Sequence, residues 1–182
     1  MTQPSSQLLV NPAFVRTMSA YNTEMNRRLY AAALRLSDAE RRLDRGGFWG
    51  SIHGTLCHLL WGDLMWMSRF DGGPKPATAQ KQSAAMIDDF GELHRQRTDT
   101  DARISSWAEC VSEDWLREDQ VWFSASVQKE LRQPRSLLVA HFFNHQTHHR
   151  GQAHAMITAA GERTGDTDLF LLVEEPISRA AG

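Results

Sequence analysis

Four histidines crowd one twelve-residue stretch, HFFNHQTHHRGQ, from His141 to Gln152; they are half of the eight in the 182-residue chain. On a helix, His141, His145 and His149 stand four residues apart and stack along one face. A pair spaced HxxxH presents two imidazoles to one divalent ion, because successive turns bring both ring nitrogens to about 2.1 Å from a shared centre. His148 is turned about 100° from His149 and faces elsewhere. One helix does not wrap a tetrahedral ion, so a third ligand has to come from another. His58 is the candidate. It lies in LCHLLWGDLMWM, the most apolar run of the sequence, where an imidazole without a partner is costly to bury. Thr55 and Gly62 share nearly the same side of that helix and leave room for an ion and its water. Taken alone, His58 is more simply a hydrogen-bonded core residue; taken with the HxxxH pair, metal binding is the better reading. His53, His94 and His154 are assigned to the surface or the edge of the core.

Three neutral imidazoles accept Zn²⁺, Ni²⁺, Fe²⁺ or Cu²⁺, and affinity alone does not choose among them. No ExxH pairing accompanies the cluster, which argues against a carboxylate-bridged di-iron centre. The expectation is one divalent metal ion per chain, in a mononuclear three-histidine site with an open position. Such an ion can lower the pKa of a bound water toward 7. It can equally hold a thiol as thiolate, the reactive form of sulfur.

The elements that must position these residues are helical. Asn11-Pro12 is an N-cap followed by proline at the first helical position. Val15, Met18, Tyr21, Met25, Leu29 and Ala32 then recur at spacings of three and four, and Leu36 ends the pattern. Ser37 to Glu40 forms a capping box that opens one short turn. Ser51 caps a second helix running from Ile52 to Phe70, apolar nearly all round and therefore buried. Trp49, Trp61 and Trp66 belong to the core, with one of them free to wall a pocket. Asp71-Gly-Gly-Pro-Lys-Pro76 is a loop. A third helix is expected from about Thr78 to Cys110, with Met86, Phe90, Leu93, Ile104 and Trp107 on one face. Arg97 and Asp101, an i,i+4 pair, would support that helix. Gln120–Ser124 and Lys129–Arg132 suggest two short strands. Pro134 announces the last helix and Gly161 its end. The predicted fold is all-α, an antiparallel four-helix bundle with a short strand pair between helices 3 and 4. It occupies a single domain over residues 1–182, with a flexible N-terminus at 1–10 and an irregular C-terminal tail at 171–182.

Composition narrows the setting. The net charge is −2 and there is no dense Lys/Arg tract, so nucleic acid is excluded as the expected partner. The N-terminal residues lack a basic start and long apolar run. LCHLLWGDLMWM, broken by His58 and Asp63, is too short to span a bilayer. Cys57 and Cys110, without CxxC spacing, are expected as reduced thiols in a cytoplasmic protein.

These blocks resemble the DinB/YfiT-like superfamily of metal-binding four-helix bundles. AYNTEMNRRL, GSIHGTLCHLLWGDLMW, the Arg97/Asp101 pair and above all NHQTHHRGQ carry the likeness over most of the chain. The resemblance implies one divalent ion, zinc or nickel, held by a histidine of the second helix and the HxxxH pair of the fourth. On this sequence those are His58, His145 and His149, the set already reached by spacing. His141 has no ligand counterpart; it is assigned to the pocket wall behind the ligands, and it is the candidate for a general base. Gln152 or Arg150 would steady a ligand histidine through its other ring nitrogen, a surface ion pair being the alternative for Arg150. Gly151 would permit a close helix crossing. The superfamily includes enzymes using low-molecular-weight thiols, both transferases and a thiol-dependent isomerase, and members proposed as hydrolases. The implied activity is metal-dependent thiol S-transfer onto a small electrophilic substrate, with hydrolysis as the second enzymatic reading. A non-catalytic metal-binding protein of the stress response is the reading from another class. A homodimer through an exposed helix face is the expected assembly.

Overall fold

The computed structural model describes residues 8–124 and 127–172. The bundle is built from α1 (Pro12–Leu34), α3 (Ile52–Phe70), α4 (Phe90–Cys110) and α6 (Arg135–Ala159). Short helices α2 (Asp38–Arg42), α5 (Glu113–Arg117) and α7 (Leu169–Leu172) and the strands β1 (Asp119–Ser124) and β2 (Lys129–Pro134) connect or flank them. The local signals explain the starts. The Asn11 side chain accepts from the Phe14 amide and Pro12 opens α1, while the Ser51 hydroxyl accepts from the Gly54 amide at the head of α3. Ser37 and Glu40 complete the capping box of α2. The strands pair antiparallel, Val121 opposite Arg132 and Trp122 opposite Leu131.

Each of α1 and α3 packs on both α4 and α6, which places α1 and α3 at opposite corners. The direction of each helix follows from two apolar clusters. One joins Leu29 and Ala33 of α1, Leu56 and Leu60 of α3, Leu93 of α4 and Ile157 of α6. The other joins Val15 of α1, Met67 and Phe70 of α3, Ile104 of α4 and Phe142 and Phe143 of α6. The order in which each helix visits the clusters makes α1/α4 and α3/α6 antiparallel pairs, whereas α3 and α4 run the same way.

That parallel relation explains where the expected third helix fails. To enter α4 at the right end, the chain must first travel back along α3, and residues 71–89 do so. Trp61 Nε1 donates to the Thr78 carbonyl at 2.7 Å, His58 Nδ1 meets Ser83 Oγ at 2.8 Å, and His53 Nε2 meets the Ile87 carbonyl at 2.8 Å. Gln80–Ala85 forms only a 3-10 turn, and Asp89, accepting from the Glu92 amide, caps α4 at Phe90. The helix therefore starts at Phe90 and not near Thr78. Two terminal expectations also shift. Val10, expected to fall in a flexible N-terminus, is buried in the second cluster, and Leu169–Leu172 is helical where an irregular tail was expected from 171. Leu8 packs, partly buried, against the same cluster; residues 1–7 and 173–182 lie outside the described residues.

Between the apolar clusters lies a layer of polar side chains contributed by all four long helices. Arg97 Nη1 donates to Asp63 Oδ2 at 2.6 Å and Arg97 Nη2 pairs with Asp101 Oδ1 at 2.8 Å. Asp101 also accepts from Asn22 and Asn26, at 3.1 and 2.9 Å. Gln146 donates to Asp63 Oδ1 at 3.1 Å, and Arg150 donates to Asn22 Oδ1. All seven are buried. The Arg97/Asp101 pair is thus not a surface support of its helix but the centre of a four-helix network. Removing one partner of a buried ion pair leaves the other charge uncompensated and costs about 3–5 kcal/mol. Arg97→Met keeps the stem and removes the charge, so its denaturant midpoint should fall by the equivalent of about 3–5 kcal/mol. A loss below about 1 kcal/mol, the size of an exposed pair, would mean the layer does not clamp the bundle.

Candidate metal centre

His58 projects from α3 and His145 and His149 from α6, at the level of the polar layer. The ring centroids are 5.5 Å apart for His58 and His145, 4.7 Å for His58 and His149, and 4.4 Å for His145 and His149. One nitrogen from each ring lies within 4.8 Å of the others, and no Cys, Asp or Glu joins the group among the described residues. Ligands at about 2.1 Å from a tetrahedral centre lie about 3.4 Å apart, so the rings need only small rotations to share an ion. Helix spacing alone aligns the α6 pair. The third ring arrives because α3 and α6 pack closely, and Gly62 makes that approach possible: a Cβ there would stand 2.7 Å from His145 Cε1. The small residue expected to leave space for an ion makes space for a ligand ring instead.

The hydrogen bonds of the ring nitrogens fit a metal. His58 Nδ1 is engaged by buried Ser83, and His149 Nδ1 by Gln152 Oε1 at 2.8 Å. With those nitrogens donating, each Nε2 keeps its lone pair for an ion. His145 Nδ1 is buried with no hydrogen-bond partner among the described residues, which fits a ring free to turn toward a ligand. Trp49 stacks on the His58 ring, centroids 3.9 Å apart, and Trp61 lies at 5.8 Å. These indoles hold the imidazole in an apolar slot.

Burial also holds the rings neutral. His58 is pushed down to about 3 by desolvation, with His149 adding to the shift. His145 is likewise pushed to about 3 by desolvation and then by its neighbouring histidines. Desolvation lowers His149 too, partly offset by the Gln152 hydrogen bond. Neutral imidazole is the form that binds metal.

The other sequence candidates fall in distinct places. Gln152 contacts His149 as a supporting residue would. Arg150 does not; it is buried and donates to Asn22 and to Thr147, so it is neither a histidine support nor a surface pair. His141 is exposed, with its ring centroid 6.0 Å from His145 and 5.2 Å from Trp66, so it stands beside the triad and not in it. Nothing approaches a Cβ at Gly151, so no helix crosses there. His53 is a hydrogen-bonded core residue, His94 stacks on Tyr30, and His154 bonds Thr164. Both cysteines are free thiols, Cys57 buried and Cys110 exposed. Ser83, Asp63 and Gln146 were missed, whereas Trp49 is one of the tryptophans from which a pocket wall was expected. Gln146 and Asp63 could have been found as polar residues adjacent to His145 and Gly62, but Ser83 carried no signal, because its segment looked helical.

With this geometry in view, the comparisons place the chain. The DinB family model matches residues 5–177, so this protein belongs to the DinB family. A search of curated proteins finds no match. Among solved structures, YfiT from Bacillus subtilis, described as a probable metal-dependent hydrolase with an unusual four-helix bundle topology, is similar in fold. Its TM-score is 0.63 at 12% identity, covering 88% of this chain and 94% of that one.

Elemental analysis of protein purified without added metal should find about one divalent ion per chain. His145→Ala should lose it and His94→Ala keep it; equal retention or equal loss would mean the ligands are wrongly chosen. A pH dependence follows from the same burial. Between the unfolded histidine value of about 6.5 and the folded value of about 3, the unfolded chain binds protons that the folded chain does not. Stability of the metal-free protein therefore falls as pH drops through that window. Asp101, raised to about 6 by burial, acts with the opposite sign, so the comparison needs a control that leaves it in place. A His58→Phe, His145→Phe double variant should lose stability less steeply from pH 6.5 to 4 in chemical unfolding. Parallel curves would show that the rings are not held neutral.

Proposed function

We propose that this protein is a metal-dependent enzyme that transfers a low-molecular-weight thiol onto a small electrophilic substrate. The observation that supports this reading is the composition of the site: three neutral imidazoles and no carboxylate in the group among the described residues. A divalent ion, zinc or nickel by the family resemblance, would supply there a Lewis acid that lowers the pKa of a thiol or a water. A thiol ionised in this way needs no further base to become a nucleophile, whereas a hydrolytic reaction needs a group to receive and return protons.

The nearby acids are poorly placed for that duty. Asp63 is occupied by Arg97 and Gln146, and Asp101 by Arg97, Asn22 and Asn26. His141 and His148 both stand exposed beside the triad, and His141, 6.0 Å from His145, is the assigned proton carrier. Its pKa is lowered by partial burial and by the Arg69 cation, so it is neutral and able to accept a proton at physiological pH. His58 and His149, oriented by Ser83 and Gln152, fix the ion's position, and Trp49 and Trp61 exclude water from its inner side.

Hydrolysis is the second reading, favoured by the description of the similar B. subtilis protein as a probable metal-dependent hydrolase. The substrate in both readings is a small molecule. No helix among the described residues is long and apolar enough to cross a membrane. A panel of cellular thiols, each offered with an activated electrophile, separates the readings. Turnover that requires thiol and metal together, and is lost in His145→Ala, is the expected result. Metal-dependent consumption of an ester or amide without thiol would favour hydrolysis, and inertness in both assays would reject the enzymatic reading.

A further inference from the structure

Arg69 lies seven positions after Gly62 on α3, about 10 Å further along the axis. Gly62, Trp66 and Arg69, spaced four and three, share one face of that helix. The facing α6 presents His145 and, one turn away, His141. Contacts join the two rows step by step: His145 packs on Gly62, His141 meets the Trp66 ring edge-on at 5.2 Å, and the Arg69 guanidinium lies over Trp66 at 4.4 Å from its centroid. Trp122 of β1 closes the side, 5.5 Å from Arg69 and 5.9 Å from Trp66 between centroids. A seam lined by aromatic rings thus leads from the triad to an arginine. Because helical side chains lean toward the helix N-terminus, Arg69 leans back toward the metal centre.

The charge of this arginine is unmatched. Among the described residues no carboxylate pairs with it, and its contacts are the two indole faces. It is half-buried, and burial alone lowers its pKa. Two other arginines near the core have acids beside them, Arg97 with Asp63 and Asp101 and Arg103 with Asp71, and Arg150 is hydrogen-bonded to Asn22 and Thr147. A guanidinium steadied on aromatic faces keeps its hydrogen-bonding fork free, and a partly desolvated cation without an anion is costly unless a ligand supplies one.

We infer that Arg69, about 10 Å along the helix axis from Gly62 against which His145 packs, is the specificity residue that receives a carboxylate of the thiol, with Trp66, Trp122 and His141 lining the path between. This inference rests on the thiol reading above. It makes the substrate an elongated, acidic thiol of about tripeptide size, and it gives the two short strands a role as the outer wall of the site.

The test uses cobalt-loaded protein, in which a thiol reaching the ion is read from sulfur-to-cobalt charge-transfer absorption. Three thiols are titrated: glutathione, its diethyl ester, which lacks free carboxylates, and 2-mercaptoethanol. The wild-type protein should bind glutathione at least about tenfold more tightly than the ester, the scale of a hydrogen-bonded charge pair. Arg69→Met should remove that preference and leave 2-mercaptoethanol within about twofold, while Arg69→Lys should keep part of it. A wild-type protein without the preference, an Arg69→Met variant that retains it, or a loss shared equally by 2-mercaptoethanol would overturn the assignment and leave the thiol reading standing. If no thiol perturbs the cobalt spectrum of the wild type, the thiol reading fails, and the assignment of Arg69 falls with it.

Discussion

The bundle depends on four charges that have almost no contact with water. Asp63, Arg97, Asp101 and Arg150 are each at most 5% exposed, two of each sign, and the neutral amides of Asn22, Asn26 and Gln146 fill much of the hydrogen bonding between them. Such a layer adds little net stability, because desolvating ions offsets most of their attraction. What it adds is register. Each helix has one polar turn between two apolar stretches, and sliding any helix by a turn would press a charge against Leu60 and Leu93 or against Met67 and Phe142. Burying an unpaired charge is far more costly than any packing that slide could recover, so one alignment of the four helices is selected.

That alignment also sets the metal centre. His145 precedes Gln146, His149 precedes Arg150, and Gly62 precedes Asp63. Along α3 and α6, one residue turns inward to the layer while its neighbour turns toward the seam where the imidazoles meet. The bond from Gln146 to Asp63 therefore locks the same two helices whose separation determines whether His58 can reach the α6 pair. Asp63 acts at longer range as well, since its charge raises the His149 pKa against the effect of burial. A site held on two rigid helices with common internal bonds keeps its geometry better than one carried on loops.

The helix starts at Asn11-Pro12 and Ser51, the strand pair and the HxxxH repeat were legible because each is encoded within a few residues. The Arg97/Asp101 pair was visible but misjudged: i,i+4 spacing is the same whether a pair is solvated or buried, and only the partners Asn22, Asn26 and Asp63 reveal which. Residues 78–89 were misread for a topological reason. Their apolar spacing is compatible with a helix, yet the parallel run of α3 and α4 requires them to travel back along α3, and no local signal encodes that demand. Ser83 and Ile87, which hold His58 and His53, were lost with the segment. Arg150 looked like a neighbour of the ligands because it adjoins His149 in sequence, but 100° of helix rotation turns it into the polar layer.

The two buried groups differ in charge, and the difference bears on substrate. The polar layer pairs two acids with two arginines, so it carries no excess of either sign. The imidazole triad is neutral and contains no carboxylate among the described residues, so a divalent ion held there keeps its full double charge apart from what a further ligand supplies. Carboxylate-rich sites cancel that charge themselves; a three-histidine site leaves it to the incoming group, which favours an anion over a neutral donor. Arg69, with no carboxylate paired to it among the described residues, stands further along the same seam. On the proposed reading, an ion held by the triad and the Arg69 guanidinium would discriminate by charge separation as well as shape, since a molecule with one anionic end satisfies only one of them.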